Sequence, residues 1–287
     1  MSFGIALAGG GARGAAHIGV LLALEEEGLF PHSIAGTSAG SLVAGLYATG
    51  TTPKIMKEIL REISENTSCL LDADLLGVIR SVPQFALKHK ITLTGIIRGN
   101  RMERFFYEKT NGKSICDTKI RTIIPAVDIN SGDTIAYTNS TKDLKPLERV
   151  KWKSDVLVCE AMRASSAFPA VFKPKLIDGM CLVDGGVTDD LPVELLMAAG
   201  ERNVLAVDVS KEYQPPKSNN LFEITTHSMS IMSMRLKECH AHGERLLLEP
   251  ALPEKAGLLT LDQMPECVEA GYNAARTHMS FIRALFG

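Results

Sequence analysis

No apolar stretch in the 287 residues approaches the length of a membrane-spanning helix, and no internal repeat or long linker divides the chain. Basic and acidic residues number 31 and 33, leaving a formal charge of -2 with no basic block. The broad positive field needed to hold nucleic acid is therefore missing, and no nucleic acid partner is expected. The six cysteines are scattered without a C-x-x-C pair, which fits reduced, mostly buried thiols in a cytoplasmic protein. Cys239-His240-Ala241-His242 suggests a metal site at first sight, but adjacent and i+2 positions of a helix point apart, so no metal or other cofactor is expected. The start, Met1 to Ala8, lacks a positively charged segment before its apolar run and reads as a first strand, not a signal peptide.

What is present is 45% hydrophobic residues with 24 glycines and 13 prolines, enough for one large domain spanning 1–287. The chain is organised around His32 to Leu46, where Gly36-Thr37-Ser38-Ala39-Gly40 lies between a short apolar stretch and a helix of small residues. This is the pattern of a nucleophile elbow, a sharp strand-to-helix turn that exposes a serine hydroxyl beside unpaired helix N–H groups. Upstream, Phe3 to Ala8 reads as a buried parallel strand running into Gly9-Gly10-Gly11-Ala12-Arg13-Gly14 and then a helix that stops near Gly28. Both glycine turns fall at the carboxyl edge of one parallel sheet, where α/β folds build their sites.

The spacing Gly9-x-Gly11-x-x-Gly14 also matches a dinucleotide-binding turn, yet the next strand ends in Ala35-Gly36-Thr37-Ser38, with no acid for the ribose. A turn rich in accessible N–H groups beside a nucleophile suits an oxyanion hole instead. Arg13 either braces that turn, meets a phosphate, or lies exposed.

Thr52 to Asn66 reads as a helix with an isoleucine at 55, 59 and 63. The mixed apolar stretch from Leu70 to Asn100 reads either as short helices covering the sheet or as an apolar cap or lid, bounded here at 66–100, that admits acyl chains or meets a lipid surface. Lys119 to Asn139 reads as a hairpin, Asp155 to Ala164 as a helix ending in Ser165-Ser166-Ala167-Phe168-Pro169, and Cys181 to Val183 as a strand ending at Asp184-Gly185-Gly186. Ser38 needs a base, and that need raises Asp184 above an ordinary turn residue. Val204 to Val209 and Leu246 to Leu248 read as strands, Leu221 to Cys239 as a Met-rich helix filling core, and Pro265 to Leu285 as one closing helix.

Taken together, the Gly9–Gly14 turn, the Ser38 elbow, Asp184-Gly185-Gly186 and the Ser165–Pro169 block resemble the patatin-like phospholipase family. Within it, the chain resembles the stand-alone bacterial members similar to the neuropathy target esterase catalytic domain. The likeness runs clearly from Phe3 to about Val209. It implies a three-layer α/β fold with a mainly parallel sheet flanked by helices. It implies a Ser-Asp dyad, with Ser38 as nucleophile and Asp184 as base, and an oxyanion hole from backbone N–H groups of Gly10, Gly11 and Ala39. Gly9, Arg13, Gly36, Gly40, Gly185 and Gly186 would support them. The implied reaction is hydrolysis of acyl esters of phospholipid or lysophospholipid, with a lipid or other acyl ester as partner and peripheral contact with the inner face of a membrane. The same dyad would serve a small-ester esterase, a thioesterase or an acyltransferase, and a non-catalytic lipid-binding protein could keep the fold. An ordinary α/β-hydrolase would instead need a histidine in a strand-end loop after Asp184. His227, His240, His242 and His278 all fall in or near helical patterns, and His17 lies in the first helix.

Overall fold

The structure, a computed structural model, describes residues 2–66, 70–73, 95–210, 221–239 and 243–287. At its centre lies β1 (Gly4–Leu7), whose four residues are all buried. They form an uninterrupted apolar run because parallel neighbours and helices cover the strand on both faces. β1 pairs in parallel with β2 (Ser33–Gly36) on one side and β8 (Val204–Val207) on the other. β9 (Leu246–Leu248) extends the sheet beyond β8, again in parallel.

On the other side β2 pairs in parallel with β3 (Arg121–Asp128), which turns into the antiparallel hairpin partner β4 (Asp133–Thr138). β5 (Val150–Lys153) closes that edge parallel to β4. β5 is absent from the sequence reading, because Lys151-Trp152-Lys153 on an exposed edge lacks the apolar run of a central strand. β3 also carries β7 (Met180–Asp184), which pairs with β6 (Lys175–Ile177). The sheet is thus mixed and mostly parallel, and helices flank it as expected.

After β1 a tight 3-10 turn (Gly11–Ala15) feeds α1 (Ala16–Glu26), and after β2 the chain passes straight into α2 (Ala39–Thr49). α3 (Pro53–Glu65) starts with proline in its first turn and Thr52 Oγ1 accepting the Ile55 N–H at 3.4 Å. Its buried stripe is Met56, Ile59, Leu60 and Ile63, and Ile55 is exposed. A strict four-residue repeat drifts around a helix of 3.6 residues per turn, which corrects the expected isoleucine line at its first member. α4 (Asn100–Lys109) buries Met102, Phe105 and Phe106. α5 (Val158–Ser165) lies on β3 and β7, and α6 (Val193–Ala198) on β1, β2 and β8.

Two expectations fail towards the C-terminus. The Met-rich helix α7 (Leu221–Cys239) is not core: Ile224, Ile231 and Met232 are exposed, and none of its described side chains is fully buried. Thr225, Thr226, Ser228, Ser230 and Ser233 interrupt its apolar positions, so no face is continuous enough to bury. The closing helix is two, α8 (Met264–Thr277) and α9 (Met279–Phe286), broken at His278, whose Nδ1 bonds to the Ala274 carbonyl at 2.9 Å. Of the expected cap at 66–100, residues 67–69 and 74–94 lie outside the described residues; Leu70 and Ile97 are buried. Among the described residues no helix is long and apolar enough to cross a membrane.

Candidate active site

Ser38 sits between β2 and α2 with φ 51 and ψ -120. A non-glycine residue is strained there, and the strain holds its hydroxyl out of the turn. The flanking glycines permit that geometry: a Cβ on Gly36 would lie 2.2 Å from the Gly40 carbonyl oxygen, and one on Gly40 2.3 Å from that of Leu7. The elbow therefore closes against itself and against β1. The Ser38 N–H donates to Ser165 Oγ at 3.0 Å, and Ser166 Oγ donates to the Ser38 carbonyl at 3.3 Å. The two hydroxyls at the end of α5 thus grip the elbow's backbone, and Ser166 also faces the cavity beside it.

Asp184, at the end of β7, is 2% exposed. Its Oδ2 accepts the Ser38 hydroxyl at 2.6 Å and its Oδ1 accepts the Gly186 N–H at 2.8 Å. Burial pushes its pKa up to about 7; the bonds from Ser38 and Gly186 pull the other way, and nearby Asp190 adds to the rise. A carboxyl that titrates near neutrality has the strength a general base needs for work at that pH.

Across from the elbow runs the glycine turn. Its first N–H, from Gly9, donates to the Asp190 carbonyl at 3.0 Å, and the Ala12 N–H donates to the Leu258 carbonyl at 3.1 Å. Between them the Gly10 and Gly11 N–H groups, with that of Ala39 at the start of α2, have no acceptor among the described residues. All three residues are half-buried, and Gly11 and Ala39 line the same cavity as Ser38. The carbonyls of the same turn are held: Arg13 Nε donates to Gly10 at 3.1 Å, and the fully buried His17 donates from Nε2 to Ala8 at 2.8 Å. Arg13 therefore braces the turn, with Asp190 and Asp208 close enough to offset part of the burial cost of its charge. Burial drives the His17 pKa down to about 4 and keeps the ring neutral.

Sequence reasoning passed over an ion cluster behind this turn. Lys237 of α7 reaches Asp208 at 3.0 Å and Asp190 at 3.3 Å, and also bonds Ser210. Charges far apart in sequence carry no periodic signal; only the paired acids Asp189-Asp190 hinted at it.

Beside Ser38 opens an apolar cavity of about 140 Å³. Ala39, Leu42 and Leu46 form one wall and Met56, Leu60 and Ile63 another. Leu71, Phe106, Phe168 and Leu258 also line it. No histidine among the described residues bonds to Ser38 or Asp184. His240 and His242 lie outside the described residues.

A serine on a strand-to-helix elbow, touched by a buried acid at the carboxyl edge of a mostly parallel sheet, defines an α/β protein of the serine-elbow class. The patatin-like phospholipase family model matches residues 5–197, and the chain belongs to that family. It is 32% identical over 209 residues to lysophospholipase NTE1 of Mycosarcoma maydis, covering 73% of this chain and 10% of that protein. It is 29% identical over 211 residues to the mouse (Mus musculus) patatin-like phospholipase domain-containing protein 6, covering 72% of this chain and 13% of that one. The chain thus spans only about a tenth of the length of these curated relatives. Among solved structures, VipD from Legionella pneumophila superposes with a TM-score of 0.52 at 14% identity, over 98% of this chain and 67% of that one, a likeness of fold.

Proposed function

We propose that the protein hydrolyses carboxylic acyl esters of lipids, with monoacyl phospholipid as the favoured class, through Ser38 and Asp184. The observation that carries this is the 2.6 Å contact between them at the mouth of an apolar cavity. Asp184 takes the hydroxyl proton as Ser38 Oγ attacks the acyl carbonyl. The oxygen that becomes negative is met by the N–H groups of Gly10, Gly11 and Ala39. Collapse breaks the ester bond, Asp184 returns the proton to the departing alcohol, and an acyl-serine remains. Water then attacks that ester with Asp184 again as base; the Oγ–acyl bond breaks, Asp184 returns the proton to Ser38 Oγ, and the fatty acid is released. The acyl chain lies in the cavity, and exposed Leu259 at its lining supports peripheral contact with a lipid surface. The proposed unit is the whole chain, because β8 and β9 continue the same sheet beyond the family match.

The test is hydrolysis of esters of one alcohol with increasing acyl length, beside lysophospholipid and two-chain phospholipid below and above their aggregation thresholds. Each buried methylene is worth roughly 0.8 kcal/mol, so kcat/KM should climb steeply and level where the cavity ends. Rates that fall beyond butyryl, with neither phospholipid cleaved, would replace this reading with a small-ester hydrolase.

A further inference from the structure

Residues 257–264 lie outside the stretch that matches the family, yet they touch both halves of the proposed machinery. Leu258, Leu261 and Met264 line the apolar cavity. The Leu258 carbonyl also accepts the Ala12 N–H at 3.1 Å, which fixes one end of the glycine turn, as the Asp190 carbonyl fixes the other through Gly9. The two N–H groups left unpaired, those of Gly10 and Gly11, are the ones bracketed by these two bonds. Contact at Gly11 is close enough to exclude a side chain: at φ +60, a Cβ there would stand 2.3 Å from the Leu258 oxygen and 2.6 Å from its Cα. The turn and residue 258 therefore hold one position relative to each other. Residue 258 is itself held by a local staple, since the Thr260 hydroxyl accepts the Gly257 N–H at 2.7 Å.

From this arrangement we infer that Leu258 is a specificity and positioning residue: its side chain bounds the acyl chain while its carbonyl sets the glycine turn that receives the oxyanion. This rests on the acyl ester hydrolase reading above. One residue then serves two tasks that kinetics separates. The side chain acts on the choice between long and short acyl groups, because only a long chain reaches the wall. The carbonyl acts on the chemical step for any acyl group, because a displaced N–H is missed mainly once the oxygen is charged.

Two measurements test it. The first needs no turnover: calorimetric binding of decanoate to Ser38→Ala, and to Ser38→Ala carrying Leu258→Ala or Leu258→Met. Affinity should fall about tenfold with alanine and return to within about twofold with methionine, which restores the volume. The second compares 4-nitrophenyl octanoate with the acetate. Leu258→Ala should lower the octanoate-to-acetate ratio of kcat/KM about tenfold, while Thr260→Val, which loosens the staple without touching the cavity, should lower kcat on both esters equally with KM little changed. Unchanged decanoate affinity together with an unchanged ester ratio would overturn the wall. A rise in KM alone for Thr260→Val would overturn the positioning role. Tight, Leu258-dependent decanoate binding in a wild type that hydrolyses neither ester would overturn the hydrolase reading instead, and would leave Leu258 as the wall of a fatty-acid site. Circular dichroism and melting temperature confirm that each variant is folded.

Discussion

Asp184 divides its carboxylate between two partners, Oδ2 for the Ser38 hydroxyl and Oδ1 for the Gly186 N–H. The backbone bond fixes the carboxylate's rotation, so the oxygen facing Ser38 cannot swing away. In Asp184→Asn the Gly186 N–H still demands an acceptor, which turns the amide NH2 towards Ser38. The serine then meets a donor and keeps its proton. We expect kcat to fall on the order of 10³-fold while the melting temperature holds or rises, since a buried ionisable group has been removed. Single replacement of His227, His240, His242 or His278 should leave kcat/KM within about twofold. Any one of them as damaging as Asp184→Asn, in a folded protein, would restore a triad.

Acidity should govern rate and stability in opposite directions. With its pKa raised to about 7 by burial, Asp184 is protonated in acid and cannot accept the serine proton. The kcat/KM profile should rise with pH, pass half-maximum near 7 and level above; a flat profile from pH 5 to 8 would dismiss Asp184 as the base. For stability, the folded protein holds this proton after the unfolded chain has lost it, so stability declines as pH rises from about 4 to 7. Asp189, also pushed to about 7 by burial with Asp190 and Glu194 adding to it, acts in the same sense. Asp184→Asn should flatten that slope in thermal melts without abolishing it.

Strain at Ser38 predicts an inverted ranking of small residues. Alanine ordinarily stabilises relative to glycine, but at φ 51 and ψ -120 the Cβ is the source of the cost. Ser38→Ala and Ser38→Gly should both be inactive towards esters, and the glycine variant should be the more stable of the two by about 1 kcal/mol in denaturant unfolding. Residual hydrolysis within a few-fold of wild type in either would remove Ser38 from the mechanism.

The elbow was legible in the sequence because its constraint is local: Gly36 and Gly40 are small for a reason that acts within five residues. Asp184 was legible only through the need of Ser38 for a base and through the family likeness, since Asp-Gly-Gly alone is equally an ordinary turn. Ser165 and Ser166 could be seen as hydroxyls before a proline, though not as the pair that grips Ser38. Leu258 could not be seen at all, because what it contributes to the glycine turn is a main-chain carbonyl, which any residue supplies. The Met-rich stretch misled for a related reason: composition gives the apolar content of α7, while its placement on the surface depends on what Lys237 reaches at Asp190 and Asp208.

Gly10→Ala addresses the spare donors directly. A Cβ at this position would meet Val209 Cγ2 at 2.6 Å; Val209 is fully buried, so a shift of the turn that carries its N–H along is the expected response. We expect kcat to fall by about 10²-fold with KM changed far less. A loss confined to KM would mean that the turn binds ground-state substrate and does not receive the developing charge.

The central place of β1 carries a warning for anyone who trims the protein to its recognised portion. Cut after residue 197, the chain would lose β8, and with it the Val207 carbonyl that accepts the Ala8 N–H at 3.1 Å. β1, all apolar and built to be flanked on both sides, would become a bare edge offering unpaired main-chain groups to any passing strand. Such a fragment should gather into sheet-rich aggregates, however faithfully it keeps the Ser38 and Asp184 motifs.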